Sequence, residues 1–268
     1  MSLRRLVSLA ALAALTACSP GERPDAAEAE GEWIDLTHAL GPDTIFWPTA
    51  NPYVHEKVFA GTTEAGYYYS TYNLALSEHG GTHLDAPVHF AEGRQGADEV
   101  PLDRLIGPAA VIDVTAAAEA DADYRVTRKD VLDWEAANGP LPEGAIVLVR
   151  TGFAKRWPDA ASYLGTVLKG DAGVAALHFP GLSEEAARLL AEERNIAAVG
   201  IDTASIDYGQ SRDYIAHRVI LGRNIPAFEN VADMAALPAT GAKVVALPVK
   251  VQDGSGAPLR IVARLPAD

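Results

Sequence analysis

From Trp33 onward, short apolar runs alternate with turn-forming residues. Trp33 to Thr37 alternates with period two and predicts a first strand. Tyr53 to Phe59 and Tyr67 to Leu76 are aromatic and β-branched enough to predict two more. Ala109 to Val114, Ile146 to Val149 and Ile196 to Ile201 are short apolar runs that predict buried strands. Lys243 to Val249 and Leu259 to Leu265 predict closing strands. Two helix starts stand between them. Thr127 is an N-cap, with Asp130 at the third helical position and Gly139 past the end. Ser183 caps another helix and places Glu184 and Glu185 near its positive end. The mixture predicts an α/β fold class, or α+β: a mixed central sheet, partly parallel, with flanking helices. The strand order does not follow from the pattern.

The first residues pattern differently. Arg4 and Arg5 precede an apolar run from Leu6 to Thr16 that is too short to span a bilayer, so residues 1–17 predict an export signal. Leu15-Thr16-Ala17-Cys18 resembles the lipobox of bacterial lipoproteins, which implies lipidation of Cys18 and anchoring on the periplasmic face of a membrane. Cys18 is the single cysteine, so an intrachain disulfide is excluded. Residues 18–32 carry Pro, Gly, Glu and Ala without a large apolar side chain and predict a tether. The folded domain is then expected over 33–268.

The chain is 49% hydrophobic and 22% charged, the composition of an ordinary globular protein. Its net charge of −14, with no basic stripe, argues against nucleic acid as a partner.

Candidate chemistry concentrates in one run. Of seven histidines, His79, His83 and His89 fall in His79-Gly80-Gly81-Thr82-His83-Leu84-Asp85-Ala86-Pro87-Val88-His89. Imidazoles and a carboxylate are common ligands of zinc and related divalent ions. His83, Asp85, Pro87 and His89 are each two apart, so an extended segment would point them to one side. Pro87 favours that form by blocking a helix. Gly80 and Gly81 permit a turn that brings His79 back toward His83 and Asp85.

The run resembles the H-x-G-T-H-x-D-x-P-x-H signature of the cyclase family of metal-dependent hydrolases, whose members include kynurenine formamidases and isatin hydrolases. Residues 33–38, Phe46-Trp47-Pro48, 178–183 and 200–207 are similar to further segments of that family. The resemblance implies a swivelling β/β/α-type domain that assembles as a homo-oligomer. It implies His79, His83 and Asp85 as ligands of a first ion, zinc or manganese. Asp85 would bridge to a second ion held by His217 and Glu229. His89 would be the general acid/base, and Trp47 would line the substrate pocket.

The expected chemistry is hydrolysis of a C–N bond in a small aromatic amide or lactam. His89 has a suitable intrinsic range for moving protons, and Trp47 on a proline-flanked loop can stack on a flat ring. The competing expectation is an exported lipoprotein that binds a metal or small molecule without catalysis. Tyr67, Tyr68 and Tyr69 are expected to pack alternately into a core or interface. His38 is expected to make a structural hydrogen bond, His55 to lie on the surface, and His178, before a Pro-Gly turn, to be structural or to reach the pocket. Thr203, Ser205 and Asp207 follow a buried strand, a usual place for site residues.

Overall fold

The computed structural model describes residues 31–267. The signal, Cys18 and most of the tether expected from the sequence lie outside the described residues. The strands, in chain order, are β1 (Trp33–Asp35), β2 (Val54–Thr62), β3 (Tyr68–Ala75), β4 (His83–Asp85), β5 (Ile106–Asp113) and β6 (Arg125–Val126). They continue with β7 (Ile146–Arg150), β8 (Gly181–Leu182), β9 (Ala198–Ile201), β10 (Ala227–Glu229), β11 (Lys243–Pro248) and β12 (Gly256–Arg264).

Eight strands form one sheet in the order β1-β12-β11-β5-β7-β9-β10-β4, and a further pairing of β12 with β4 closes it. Closure uses one edge of β12 twice: Gly256 to Pro258 pairs with β4, and Val262 to Arg264 pairs with β1. β5, β7, β9 and β10 run parallel to one another, while the remaining joins are antiparallel. The α/β class and partly parallel sheet match the expectation; the barrel-like closure is what the pattern did not reveal.

The parallel strands read as continuous apolar runs because both of their faces are covered. Val147 and Val149 of β7, and Val199 and Ile201 of β9, pack outward in a core shared with the helices Arg128–Asn138, Glu184–Arg188 and Ile215–Leu221. Their neighbours Ile146, Leu148 and Ala198 face inward, joining Leu84, Phe228, Ala257 and Ile261 in the barrel interior. This period-two division fixes the site: with Leu84 and Phe228 inward, His83, Asp85 and Glu229 must face the helices.

The caps behave as expected. Thr127 and Asp130 form a reciprocal capping box, and Gly139 ends the helix at φ 89°. Ser183 accepts from Ala186 N, but its helix becomes a π-turn over Leu189–Glu193. One expectation is corrected. The segment from His83 to His89 is extended only as far as Asp85. Pro87–His89 is a 3-10 turn closed by His89 N donating to Ala86 O at 2.9 Å, so His89 reaches the site by a bend. The proline that forbids a longer helix suits the first position of this turn.

β2 and β3 form a separate two-stranded hairpin. Tyr67, Tyr68 and Tyr69 are exposed on it rather than packed into a core, because no second layer covers the hairpin among the described residues.

Candidate metal centre

Gly80 and Gly81 make the turn that the run requires. A Cβ on Gly80 would meet the Phe46 ring at about 2 Å, and Gly81 sits at φ 61°. The chain then enters β4, whose His83 lies opposite Glu229 of β10 and whose Asp85 lies opposite Ala227. Helix Ile215–Leu221 packs His217 over this pair.

Asp85 is the hub. Its Oδ1 lies 2.7 Å from His79 Nδ1 and 3.1 Å from His83 Nε2, and its Oδ2 lies 3.1 Å from His217 Nε2. Glu229 Oε1 is 3.1 Å from His217 Nε2, and its Oε2 is 3.5 Å from His83 Nε2. His89 stacks on His79 with ring centroids 3.9 Å apart. Six residues expected from the sequence therefore meet in one place. The grouping cuts across the expected one: His83, Asp85 and Glu229 form one set of potential ligands, and His79, Asp85 and His89 another, with Asp85 shared.

The far nitrogen of each deeper imidazole is already committed. His83 Nδ1 donates to Gly81 O at 2.9 Å, and His217 Nδ1 to Asp207 Oδ2 at 2.6 Å. Ser255 Oγ donates to Glu78 Oε2 at 2.6 Å, which leaves it to accept from His79 Nε2 at 2.9 Å. These bonds turn lone pairs of all three rings toward Asp85 and Glu229. Lone pairs facing buried carboxylates repel unless a positive charge stands between them.

The protons report the same demand. Burial opposes charge on His83 and His217, yet the surrounding carboxylates outweigh it and hold both above the ordinary imidazole range, His217 well above. Burial likewise opposes the Asp85 carboxylate, but the three histidines hold it well below the usual range. His83 Nε2 is buried without a hydrogen-bond partner. A divalent cation fits this donor set of imidazole nitrogens and carboxylate oxygens, and satisfies that orphaned nitrogen.

His89 differs. Burial pushes it to about 4, with Asp85 opposing and the neighbouring imidazoles reinforcing, so it is neutral at pH 7. Its ring lines a cavity of about 350 Å³. Trp47 joins it there, edge-on to Phe179, as do Phe46 and two residues the sequence reading missed, Phe90 and Tyr214.

The weaker sequence candidates divide. Asp207 orients His217, and Ser205 lines the cavity while accepting from Asp207 N. Thr203 donates to Ser205 O. His178 pairs with Asp123 at an exposed position, and His55 lies outside stacked on Tyr72. His38 makes a structural hydrogen bond, donating from its backbone to Thr82 Oγ1, while its ring stacks on Trp157 and its Nε2 has no partner among the described residues. Glu78, Ser255 and Asn230 also escaped notice. Asn230 Nδ2 donates to Gly81 O, the same oxygen that orients His83. Its place directly after Glu229 was the one local clue; Ser255 stands 176 residues from His79 and offered none.

A closed mixed sheet carrying a buried imidazole–carboxylate centre on its helix-covered face defines an α/β metalloprotein. The Cyclase family matches residues 34–208. The isatin hydrolase of Roseibium aggregatum is 30% identical over 88% of this chain and 93% of its own. The kynurenine formamidase of Salinibacter ruber is 30% identical over 86% and 96%. The solved isatin hydrolase A from Labrenzia aggregata, bound to benzyl benzoate, superimposes with a TM-score of 0.79 at 34% identity, covering 88% of this chain and 94% of that one. The chain belongs to the Cyclase family.

Proposed function

We propose that this protein is a metal-dependent hydrolase of carbon–nitrogen bonds in small aromatic amides or lactams. The observation that carries the reading is an imidazole, His89, stacked on His79 at the junction of the metal-ligating cluster and an aromatic-walled cavity. Relatives named for isatin and kynurenine formamide chemistry support the substrate class.

His79, His83, Asp85, His217 and Glu229 would hold one or two ions, zinc or manganese. A bound divalent cation supplies Lewis acidity, polarising a carbonyl and acidifying water. His89 takes the proton from the attacking water and returns it to the departing nitrogen. Trp47 and Phe90 bind the flat ring and exclude water from it. Asp207 and the Glu78–Ser255 pair keep the ligand imidazoles in the tautomer that offers a lone pair.

The test is metal analysis of protein purified without added metal, with turnover of isatin and of an N-formyl arylamine. Chelation should remove activity, and zinc or manganese should restore it. Metal-loaded protein that turns over no member of an amide and lactam panel would leave the non-catalytic binding lipoprotein standing instead.

The working form is a homo-oligomer at the periplasmic face, anchored through Cys18. The hairpin β2–β3 supports association with a second copy. An isolated two-stranded hairpin is marginal in water, and this one exposes apolar side chains on both faces: Tyr68, Tyr72 and Leu74 on one, Val54, Phe59 and Tyr69 on the other. It carries little of the chain's negative charge, with Glu56, Glu64 and Lys57 among residues 54–75. Six such side chains can supply much of the ~800 Å² per partner of a standard interface. Fractionation of Cys18→Ser against wild type tests the anchor.

A further inference from the structure

We propose that Tyr214 is a specificity-determining residue whose hydroxyl donates a hydrogen bond to an oxygen of the substrate while its ring completes the aromatic wall. The inference rests on the hydrolase reading for its substrate class, but on the backbone for its origin. Tyr214 is the N-cap of helix Ile215–Leu221 and stands at φ 49°, ψ 45°, the left-handed region that a side chain with a Cβ enters at a cost. Asn or Gly would occupy that position more readily. Such a conformation survives where its surroundings impose it, and it concentrates at functional sites.

The imposing contacts belong to the metal centre. Tyr214 N donates to Ser211 Oγ at 3.2 Å, and Ser211 Oγ lies 3.3 Å from Asp207 Oδ1. The other oxygen of Asp207 orients His217. The turn that strains Tyr214 is thus tied to the carboxylate that aims a ligand imidazole. It delivers the phenol ring into the cavity, 5.4 Å from Phe90 and 6.3 Å from His217.

Among the described residues the cavity wall has no Lys or Arg, so a neutral donor is left to meet a substrate oxygen away from the metal. Ser77 and Asn230 spend donors on Asn51 O and Gly81 O, and Ser205, whose hydroxyl accepts from Asp207 N, is buried at the cavity floor with only 3% of its surface exposed. The Tyr214 hydroxyl has no hydrogen-bond partner among the described residues, and neither does the Trp47 indole nitrogen. Of these two, Tyr214 alone is held in a strained backbone. A half-buried phenol normally finds a partner, and Tyr214 is one of the residues that line the ligand space.

The test is direct binding to the metal-loaded protein, using 2-aminobenzoate, which carries an oxygen acceptor, and aniline, which does not. Tyr214→Phe should weaken 2-aminobenzoate about 10- to 100-fold, the usual worth of a hydrogen bond to a charged group, and leave aniline unchanged. Tyr214→Gly should weaken both ligands without lowering Tm, because glycine accepts φ 49° freely. Equal 2-aminobenzoate affinity in wild type and Tyr214→Phe overturns the proposal, as does a wild type that binds neither ligand. A Tyr214→Gly protein that loses metal and melts lower overturns it too, since the residue would then only brace the helix. Wild type that binds 2-aminobenzoate through Tyr214 yet hydrolyses no amide would sink the hydrolase reading and spare this one.

Discussion

The metal centre and the β2–β3 hairpin invert the ordinary distribution of residues in opposite ways. At the centre, Asp85, Glu229, His83 and His217 are buried among apolar strands, and almost every polar atom has a partner. On the hairpin, Phe59, Tyr68, Tyr69 and Leu74 stand exposed, with Phe59 stacked on Tyr69. An exposed leucine alone means little; buried charge and a dense exposed apolar patch both do. The centre is built for a cation, and the proposed association would cover the hairpin. Because the two features are separate layers of the molecule, each can be removed without the other.

The largest effect should come from Asp85→Ala. It removes the carboxylate shared by both potential ligand sets, so metal content and hydrolysis should fall to background while the oligomeric state is retained. Full activity in this variant would end the metal reading. Next, Phe59→Lys combined with Tyr69→Lys should weaken self-association by at least about 30-fold, the scale of one aromatic hot spot, with metal content intact. Light scattering across a dilution series reads this; an unchanged mass at every concentration would separate the hairpin from assembly.

Smaller is Asp207→Asn, which leaves His217 in place but loosens its tautomer. Metal affinity should drop about 10- to 100-fold by competition with a chromogenic chelator. Equal affinity would mean that the second imidazole nitrogen needs no orientation. Smallest is a gradual pH effect. His83 and His217 carry raised pKa values in the metal-free protein, so protons compete with metal as pH falls through that raised range. The Tm of metal-loaded protein should therefore decline with acidification. Metal-free protein should do the reverse: stability from the raised imidazoles is present at low pH and is lost as pH rises through their folded values. Parallel Tm profiles for the two forms would contradict this sign, and neither profile should depend on the hairpin substitutions.

Much of the site was legible because its residues are chemically distinctive and four of the six fall within eleven positions. His79, His83, Asp85 and His89 sit in one run, and glycine before histidine announced the turn. Thr127 and Ser183 marked helix starts for an equally local reason: a cap reaches only its own first turn. The reading failed where local rules compete. Two-residue spacing argued for an extended His89, whereas Pro87 began a 3-10 turn instead. Aromatic richness gave β2 and β3 correctly, yet it could not tell a strand packed in a core from one that stands away from it.

The amino-acid order by itself determined which side chains can take a cation, where the longer strands lie, and where two helices start, but not the short strands β4, β6, β8 and β10. Tertiary structure alone decided that β4 joins both β10 and β12, setting His83 across from Glu229, bringing His217 over Asp85 from 132 residues away, and laying Ser255 beside His79. The physical reason is range. Periodicity and capping act over a few residues, whereas barrel closure is selected by burying Leu84, Phe228 and Ala257 together, a gain that appears only when distant strands meet.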